Sequence, residues 1–541
     1  MKRGTLLDLT ITDFADRGKG FARIDAPGAP QEKAHAAGGL VVFVPGAVPG
    51  DRMRVEVLRA KKRHVEARLV ELFEASDLRV TPPCPYADDC GGCKWQHVDY
   101  DAQLAMKTRS VASALRRPSA GTGAPALTAP AMPDAEPAIP SPRRFFYRNK
   151  MEFSFSSERW LTAREIASGE AFDRDFALGL HAPGSFARVL DLHECHLQSP
   201  LSASVVNHVR VLAQAEGWAP YDQRRHTGWL RHLLIRHGEH TGETLVALVV
   251  TEWDEDRIAR VAAMLRASFP ALSAEEIAAA SAAAPSTEAD RPVGTDGSVG
   301  KPAMGDEDPL SRPLPGAGGV TTFVAIVHDG VGPTALDART ETVFGPGVLH
   351  DRIGDLSFEI APNAFFQTNT RGAELLYRLA LDAAELRPGD LVYDLYCGAG
   401  TISLSIAPHV RHVVGVELVP EAIANARANA LRNGIANATF VAGDMLRVFT
   451  PAFVAEHGTP DVLVLDPPRA GVHPRVIDEI ARLAPSRIVY VSCNPQTQAR
   501  DLALLDAAAP GAYRVDRIQP VDMFPHTDHV ETVVRLTRVS G

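Results

Sequence analysis

Apolar and polar positions alternate along the first part of the chain. LLDLTITDF, GLVVFVPGAV, DRMRVEVLRA and HVEARLVELF repeat with a period of two, and Gly and Pro clusters separate them. The pattern predicts a small antiparallel β-barrel of about five strands over residues 1–75. From about Leu386 the rhythm changes. Short apolar runs (LVYDLY, HVVGVEL, ATFVAGD, VLVLDPP, RIVYVSC) alternate with helical stretches such as AIANARANALRN and PRVIDEIARLA. That alternation predicts a parallel, doubly wound α/β sheet over residues 371–541, with a central domain over residues 76–370. Two stretches within the central domain, 117–142 and 278–319, are dominated by Ala, Gly, Pro and Ser. They hold too little apolar surface to offset ordering entropy, and are expected to be flexible inserts.

A chain of 541 residues accommodates several such domains. Its longest apolar runs fall short of the roughly 20 residues of a membrane helix, so no membrane partner is expected. The N-terminus MKRGTLLDLTITDF is interrupted by Asp8 and Asp13 and does not read as a signal peptide. Six cysteines in so long a chain fit a reducing cytoplasm, and a monomer is expected. The net charge of -10 argues against wholesale electrostatic binding to nucleic acid. Two local runs run against that average. Arg52–Arg68 is rich in arginine and lysine, and SPRRFFYRNK interleaves Arg143, Arg144, Arg148 and Lys150 with Phe145, Phe146 and Tyr147. Both suit phosphate contacts with base stacking, and both equally suit a solvated face.

The candidate chemistry sits at strand ends. DLYCGAGTISL places Gly398 and Gly400 in a tight turn after a strand. Asp394, Glu417, Asp444 and Asp466 close successive apolar runs, which sets carboxylates along the carboxyl edge of one sheet. The turn lacks a third glycine, and the set favours S-adenosylmethionine over a nicotinamide dinucleotide. In CPYADDCGGCKWQH, Cys84, Cys90 and Cys93 have C-x5-C-x2-C spacing, and Cys195 in LHECHLQSP is a candidate fourth ligand. A structural zinc and a 4Fe-4S cluster both fit, and the spacing does not separate them. It differs from the CxxxCxxC of radical enzymes. Cys493, at the tip of RIVYVSC, is by itself open to three readings: packing, metal ligation or nucleophilic attack.

The strings CPYADDCGGCKWQH, YRNKMEF, APNAFFQTN, DLYCGAGTISL, LDPPRAG, VSCNP and MFPHTDHVETV together resemble the RNA uracil-5-methyltransferases, specifically their 23S ribosomal RNA branch. The resemblance implies an OB-like TRAM barrel that binds RNA, a central α+β domain holding a 4Fe-4S cluster, and a Rossmann-like class I methyltransferase domain. Carried over by position, it implies Cys493 as nucleophile, Glu531 as general base and Asp466 as a further catalytic carboxylate. Gln367, Tyr396, Thr401, Glu417, Asp444 and Asp466 fall on S-adenosylmethionine positions, and Cys84, Cys90, Cys93 and Cys195 on cluster ligands. Thr401 stands where asparagine is frequent, and Asp444 is another variable position. The implied product is 5-methyluridine, with transfer RNA as the alternative substrate. Amino-group methylation of a base requires an aromatic residue after Asp-Pro-Pro, where this chain has Arg469. A non-catalytic iron-sulfur RNA sensor would have no use for the pair Cys493 and Glu531. Phe365 is a candidate partner for base stacking and equally suits a packed core aromatic.

Overall fold

The computed structural model describes residues 1–15, 18–24, 39–62, 64–116, 132–271, 318–330 and 339–539. Most of the two expected inserts, 117–131 and 278–317, therefore lies outside the described residues.

The N-terminal sheet has six strands: β1 (Leu6–Thr10), β2 (Asp13–Phe14), β3 (Gly20–Ile24), β4 (Leu40–Val44), β5 (Arg52–Ala60) and β6 (His64–Glu74). They are ordered β1-β5-β6-β4-β3-β2. Alternate residues Val42, Val44, Met53, Val55, Val57 and Val65 turn inward and are fully buried, as the period-two pattern requires. Part of the basic run expected on this surface is neutralised within the sheet. Arg54 clamps Asp8 with two hydrogen bonds of 2.7 and 2.9 Å, and Arg68 holds Glu56 at 2.7 Å. Asp51 ties the barrel to the following segment. It accepts from the Val48 and Ser76 amides and from the Arg79 guanidinium at 2.6–3.0 Å.

Helix α1 (Tyr100–Arg116) leads into the central sheet. That sheet contains β7 (Lys150–Ser156), β8 (Arg159–Trp160), β9 (Ala177–His181), β10 (Val189–Asp191), β11 (Leu230–His237), β12 (Thr244–Val250), β13 (Thr322–Val327) and β14 (Arg339–Phe344). The order is β14-β13-β12-β11-β7-β9-β10-β8, mostly antiparallel. Helices α2 (Pro200–Ala215) and α3 (Glu255–Ser268) bury Val205, Val209, Val261 and Leu265 against one face. On the other face, the hairpin β15 (Leu349–Ile353) and β16 (Leu356–Ile360) joins the central sheet to the C-terminal core through Leu349, Phe358 and Ile360.

The C-terminal sheet begins after α4 (Thr370–Ala384). Its elements are β17 (Leu391–Leu395), α5 (Thr401–Ile406), β18 (His412–Glu417), α6 (Pro420–Arg432), β19 (Ala438–Ala442), β20 (Val462–Leu465), α7 (Pro474–Leu483), β21 (Arg487–Ser492), α8 (Pro495–Ala508), β22 (Tyr513–Val521) and β23 (Glu531–Arg538). The order β19-β18-β17-β20-β21-β23-β22 is parallel except for β23, which inserts antiparallel between β21 and β22. The expectation of a wholly parallel sheet fails at this strand alone. A hairpin connection returns the chain between two strands that already run the same way.

Two further differences bear on the site. Residues 132–142, expected to be flexible, lie along β22. The Glu136 and Ile139 amides donate to Ile518 and Pro520 at 2.9 and 3.0 Å, and Arg517 grips Glu136 at 2.8 Å. Backbone pairing needs no large side chains, which is why composition did not reveal it. SPRRFFYRNK is not an open RNA-facing run either. Tyr147 is buried, Phe145 stacks on His526 at 4.3 Å, and Arg144 lies 4.2 Å over the Tyr100 ring.

Asp51 yields a stability prediction. Burial pushes its pKa up, but the Arg79 guanidinium and the Ser76 and Val48 amides outweigh that and hold it below the usual carboxylate value. A depressed folded-state pKa gives stability that is present above the unfolded value and lost as pH falls through the folded one. Asp51→Ala is expected to destabilise the barrel by about 3 kcal/mol at neutral pH, because it strands the Arg79 charge and two buried amides. Faster proteolytic cleavage between the barrel and α1 would report the loss, and the gap to wild type should narrow in acid.

Candidate active site

The carboxyl ends of β17, β18, β19, β20 and β21 open on one edge, and the antiparallel β23 delivers its first residue to the same edge. Asp394, Glu417, Asp444, Asp466, Cys493 and Glu531 therefore stand at or next to six strand ends, with Ser492 paired to Thr532 across the last two. The turn after β17 is backbone-strained. Tyr396, Gly398 and Gly400 have φ values of 69°, 54° and 79°. At Gly400 a Cβ would meet Ala426 and Phe440 at 3.0 Å, so only glycine lets the turn close against α6 and β19. The Glu417 carboxylate accepts from Gly398 and Val419 amides at 3.2 and 3.0 Å, which shapes the turn from below.

Asp394 is fully buried. One carboxylate oxygen accepts from Ser403 at 2.5 Å, and the other has no partner. Burial raises its pKa to about 7. An unsatisfied buried acceptor, an open glycine turn and an acid at the second strand end fit a ligand that brings amino and ribose donors, as S-adenosylmethionine does. The other expected pocket residues are already engaged locally. Asp444 accepts from the Leu446 amide at 3.0 Å, and Thr401 meets the Tyr377 hydroxyl at 3.0 Å. The Gln367 carbonyl accepts from Asn149 at 2.7 Å, while its side chain is half-buried. The half-buried Tyr396 packs against the core cluster that includes Tyr393 and Leu395. Cys397 is buried packing, close against Gly415.

Cys493 is half-buried directly after β21. Burial raises its thiol pKa and the nearby Glu531 charge raises it further, while the Arg469 guanidinium opposes both by charge and hydrogen bond. Glu531 is only 5% exposed. Burial pushes its carboxyl well above the ordinary value, and the Asp466 charge adds to that. Asp466 is itself raised to about 7 by burial and by Asp394. The loops carrying Cys493 and Arg469 are tied together. Asn494 donates to the Arg469 carbonyl at 3.0 Å and Thr497 to the same oxygen at 3.2 Å. The sequence pointed to Arg469 only as a missing aromatic. Its place facing the thiol depends on loop packing that no local pattern encodes.

His473 accepts from the Arg475 amide, and burial lowers the His526 pKa to about 3, so it is neutral. Phe365 stands 72% exposed beside the half-buried Gln367, free to meet a ligand.

Cys84, Cys90, Cys93 and Cys195 converge below the loop before β23. Cys93 and Cys195 share an apolar cluster with Tyr147, Leu197 and Phe524. Burial raises all four thiols, Cys84 and Cys93 to about 12, and the charge of the neighbouring thiols adds to it for Cys84, Cys90 and Cys93. Among the described residues no group of three His, Cys, Asp or Glu is drawn tightly enough to hold a metal ion. The four side chains are all thiols, and the charges of neighbouring thiols reach Cys84, Cys90 and Cys93, a donor chemistry that suits a metal or an iron-sulfur group. No helix among the described residues is long and apolar enough to cross a membrane.

Residues 348–539 match the tRNA (Uracil-5-)-methyltransferase family model, and residues 1–70 match the TRAM domain. A Chlorobaculum tepidum protein described as an uncharacterized RNA methyltransferase is 36% identical over 99% of this chain and 97% of its own. One from Porphyromonas gingivalis, described in the same words, is 38% identical over 98% of this chain and 99% of its own. Among solved structures, the Pyrococcus abyssi tRNA (uracil-54, C5)-methyltransferase in complex with S-adenosyl-L-homocysteine is 26% identical, with a TM-score of 0.66. That match covers 98% of this chain and 100% of that one.

The electrostatics at Cys493 predict opposite shifts. Arg469→Leu removes the cation and is expected to raise the pH midpoint of iodoacetamide alkylation at Cys493. Glu531→Gln removes the neighbouring anion and is expected to lower it. Mass spectrometry of the Cys493 peptide across a pH series reads both, and equal midpoints in all three proteins would contradict the geometry.

Proposed function

The chain belongs to the RNA uracil-5-methyltransferase family, and we propose that it forms 5-methyluridine in 23S ribosomal RNA, with Cys493 as nucleophile and Glu531 as general base. The observation that carries this reading is the gathering of Cys493, Glu531 and Asp466 at adjacent strand ends beside the glycine turn, close enough for the Asp466 charge to act on Glu531 and for both carboxylates to act on the Cys493 thiol. The domain assignment accompanying it is an RNA-binding barrel over 1–75, a central domain over 76–370 and a methyltransferase domain over 371–541.

Carbon 5 of uracil is a weak nucleophile until carbon 6 carries an added anion. In this reading the Cys493 thiolate bonds to carbon 6, and the ring's displaced electron pair becomes an enolate with charge at carbon 5 and oxygen 4. When bound, S-adenosylmethionine supplies an electrophilic methyl carbon. Glu417, Asp444, Thr401 and Gln367 would hold that donor facing carbon 5, whose electron pair would take the methyl as the sulfur–methyl bond breaks and leave S-adenosylhomocysteine as the neutral thioether. Once carbon 5 is methylated, Glu531 removes its proton. The returning electron pair re-forms the 5,6 double bond and breaks the bond from sulfur to carbon 6. A carboxylate with a pKa raised by burial is a stronger base, which suits an unacidic carbon proton. Asp466, near pKa 7, is protonated often enough to donate a hydrogen bond to a uracil carbonyl. Arg469 favours the thiolate before addition. The uridine must leave its stack to reach this edge, and the exposed Phe365 ring is a surface for it.

Cys84, Cys90, Cys93 and Cys195 would hold a 4Fe-4S cluster. Their mutual proximity and all-thiol chemistry support that role. The ribosomal target is supported by the sequence resemblance to the large-subunit branch, through the barrel and the cysteine quartet. Transfer RNA is the second reading. One observation favours it: the full-length match to an archaeal protein whose substrate is uridine 54 of transfer RNA.

RNA containing 5-fluorouridine tests the chemistry, since fluorine cannot leave as a proton and the adduct persists. A covalent complex resistant to denaturation is expected with S-adenosylmethionine, and its persistence in Cys493→Ala would overturn the nucleophile. A protein that neither traps nor methylates any RNA would instead be a non-catalytic sensor. Offering 23S ribosomal RNA and transfer RNA in parallel identifies the substrate by which one is trapped.

A further inference from the structure

The loop between β22 and β23, residues 522–530, ends on Glu531, which pairs with Val521 across the loop's mouth. It is gripped from outside the methyltransferase sheet, chiefly by one face of α1. Tyr100, Gln103 and Lys107 stand at i, i+3 and i+7, so their side chains share that face. They are 6%, 0% and 1% exposed. Lys107 donates to Asp522 at 2.5 Å and to the Phe524 carbonyl at 3.0 Å. Tyr100 donates to the other Asp522 oxygen at 2.8 Å and accepts from the Ser141 amide at 3.0 Å. Gln103 accepts from the His526 amide at 2.9 Å and donates to the Trp95 and Val98 carbonyls at 3.0 and 2.8 Å. Trp95 closes the grip by donating to the His526 carbonyl at 2.9 Å.

Both members of the Lys107–Asp522 pair are fully buried. Taking an ammonium and a carboxylate out of water costs so much that apolar residues of similar size stabilise a fold equally well. What such a pair supplies is a single allowed register, because any other leaves a charge without a partner. The loop it registers is the one that ends on the candidate base.

We propose that Tyr100, Gln103 and Lys107 are positioning residues for uracil methylation: through Asp522 and the His526 amide they fix the loop that presents Glu531 to carbon 5 of the bound uridine. The proposal rests on Glu531 being the base. The helix belongs to the segment that follows the cysteine loop, so α1 completes the site without touching substrate.

The test uses the full-length protein, substrate RNA with ordinary uridine, and S-adenosylmethionine in single turnover. Tyr100→Phe removes one hydroxyl from the Asp522 cage, and Lys107→Met removes the ammonium. A displaced base slows only proton removal, so methylated RNA should accumulate as a covalent complex on a denaturing gel. Product release is expected to fall between about tenfold and a hundredfold. S-adenosylmethionine affinity and the melting temperature of Tyr100→Phe should stay near wild type. Glu531→Gln serves as reference and should trap the same complex. If it traps and the α1 variants release product at the wild-type rate, the positioning proposal is overturned alone. A slow α1 variant that traps nothing and has lost cofactor affinity overturns it too, as a merely structural effect. If Glu531→Gln traps nothing, the base assignment falls and takes the proposal with it.

Discussion

Asp394, Asp466, Glu531 and Cys493 crowd one largely dry edge of the sheet, where each negative charge raises the cost of the next. Water would relieve this, but burial is the first cause of every one of the four upward shifts. The site therefore cannot hold all its groups ionised near neutrality. Protons must be distributed among them, and Arg469 biases that distribution towards the thiolate. The same crowding that makes the site electrostatically costly makes it competent. It provides a strong carboxylate base, a carboxylic acid able to donate, and a thiol whose ionisation responds to its neighbours.

Holding such a site open requires rigid walls, and the fold supplies them from three directions. The glycine turn and Glu417 form the floor on the cofactor side. The Asn494 and Thr497 contacts lock the Cys493 loop to the Arg469 loop. The loop before Glu531 has no sheet partners of its own, so its geometry comes from α1, Trp95, Tyr147 and Asn369. Tyr147 and Asn149 lie two residues apart yet hold the Pro525 and Gln367 carbonyls respectively. One short segment of the chain thus clamps both the loop that ends on Glu531 and the loop that carries Gln367.

Much of this was legible from local pattern. Apolar runs ending in an acid or in Cys493 announced strands whose ends share an edge, because parallel strands put all their carboxyl ends together. The antiparallel β23 was not legible, since a hairpin's destination depends on the whole sheet. The packing of residues 132–142 on β22 was missed because backbone pairing leaves no mark on composition. The two basic runs looked free because their partners, Asp8, Glu56 and the rings of Tyr100 and His526, are distant or follow other motifs. The α1 face was the one readable signal passed over: Tyr100, Gln103 and Lys107 interrupt an amphipathic helix at helical spacing, and buried polar residues at that spacing imply a polar partner.

The division of labour between thiol and carboxylate is tested most directly by substrate RNA tritiated at carbon 5 of uridine. Wild-type protein should release tritium to water in step with methyl incorporation. Cys493→Ala should do neither, and Glu531→Gln should take up methyl groups while the tritium stays on the covalent complex. Tritium release by Cys493→Ala at the wild-type rate, or release in step with methylation by Glu531→Gln, would contradict the assignment of nucleophile and base.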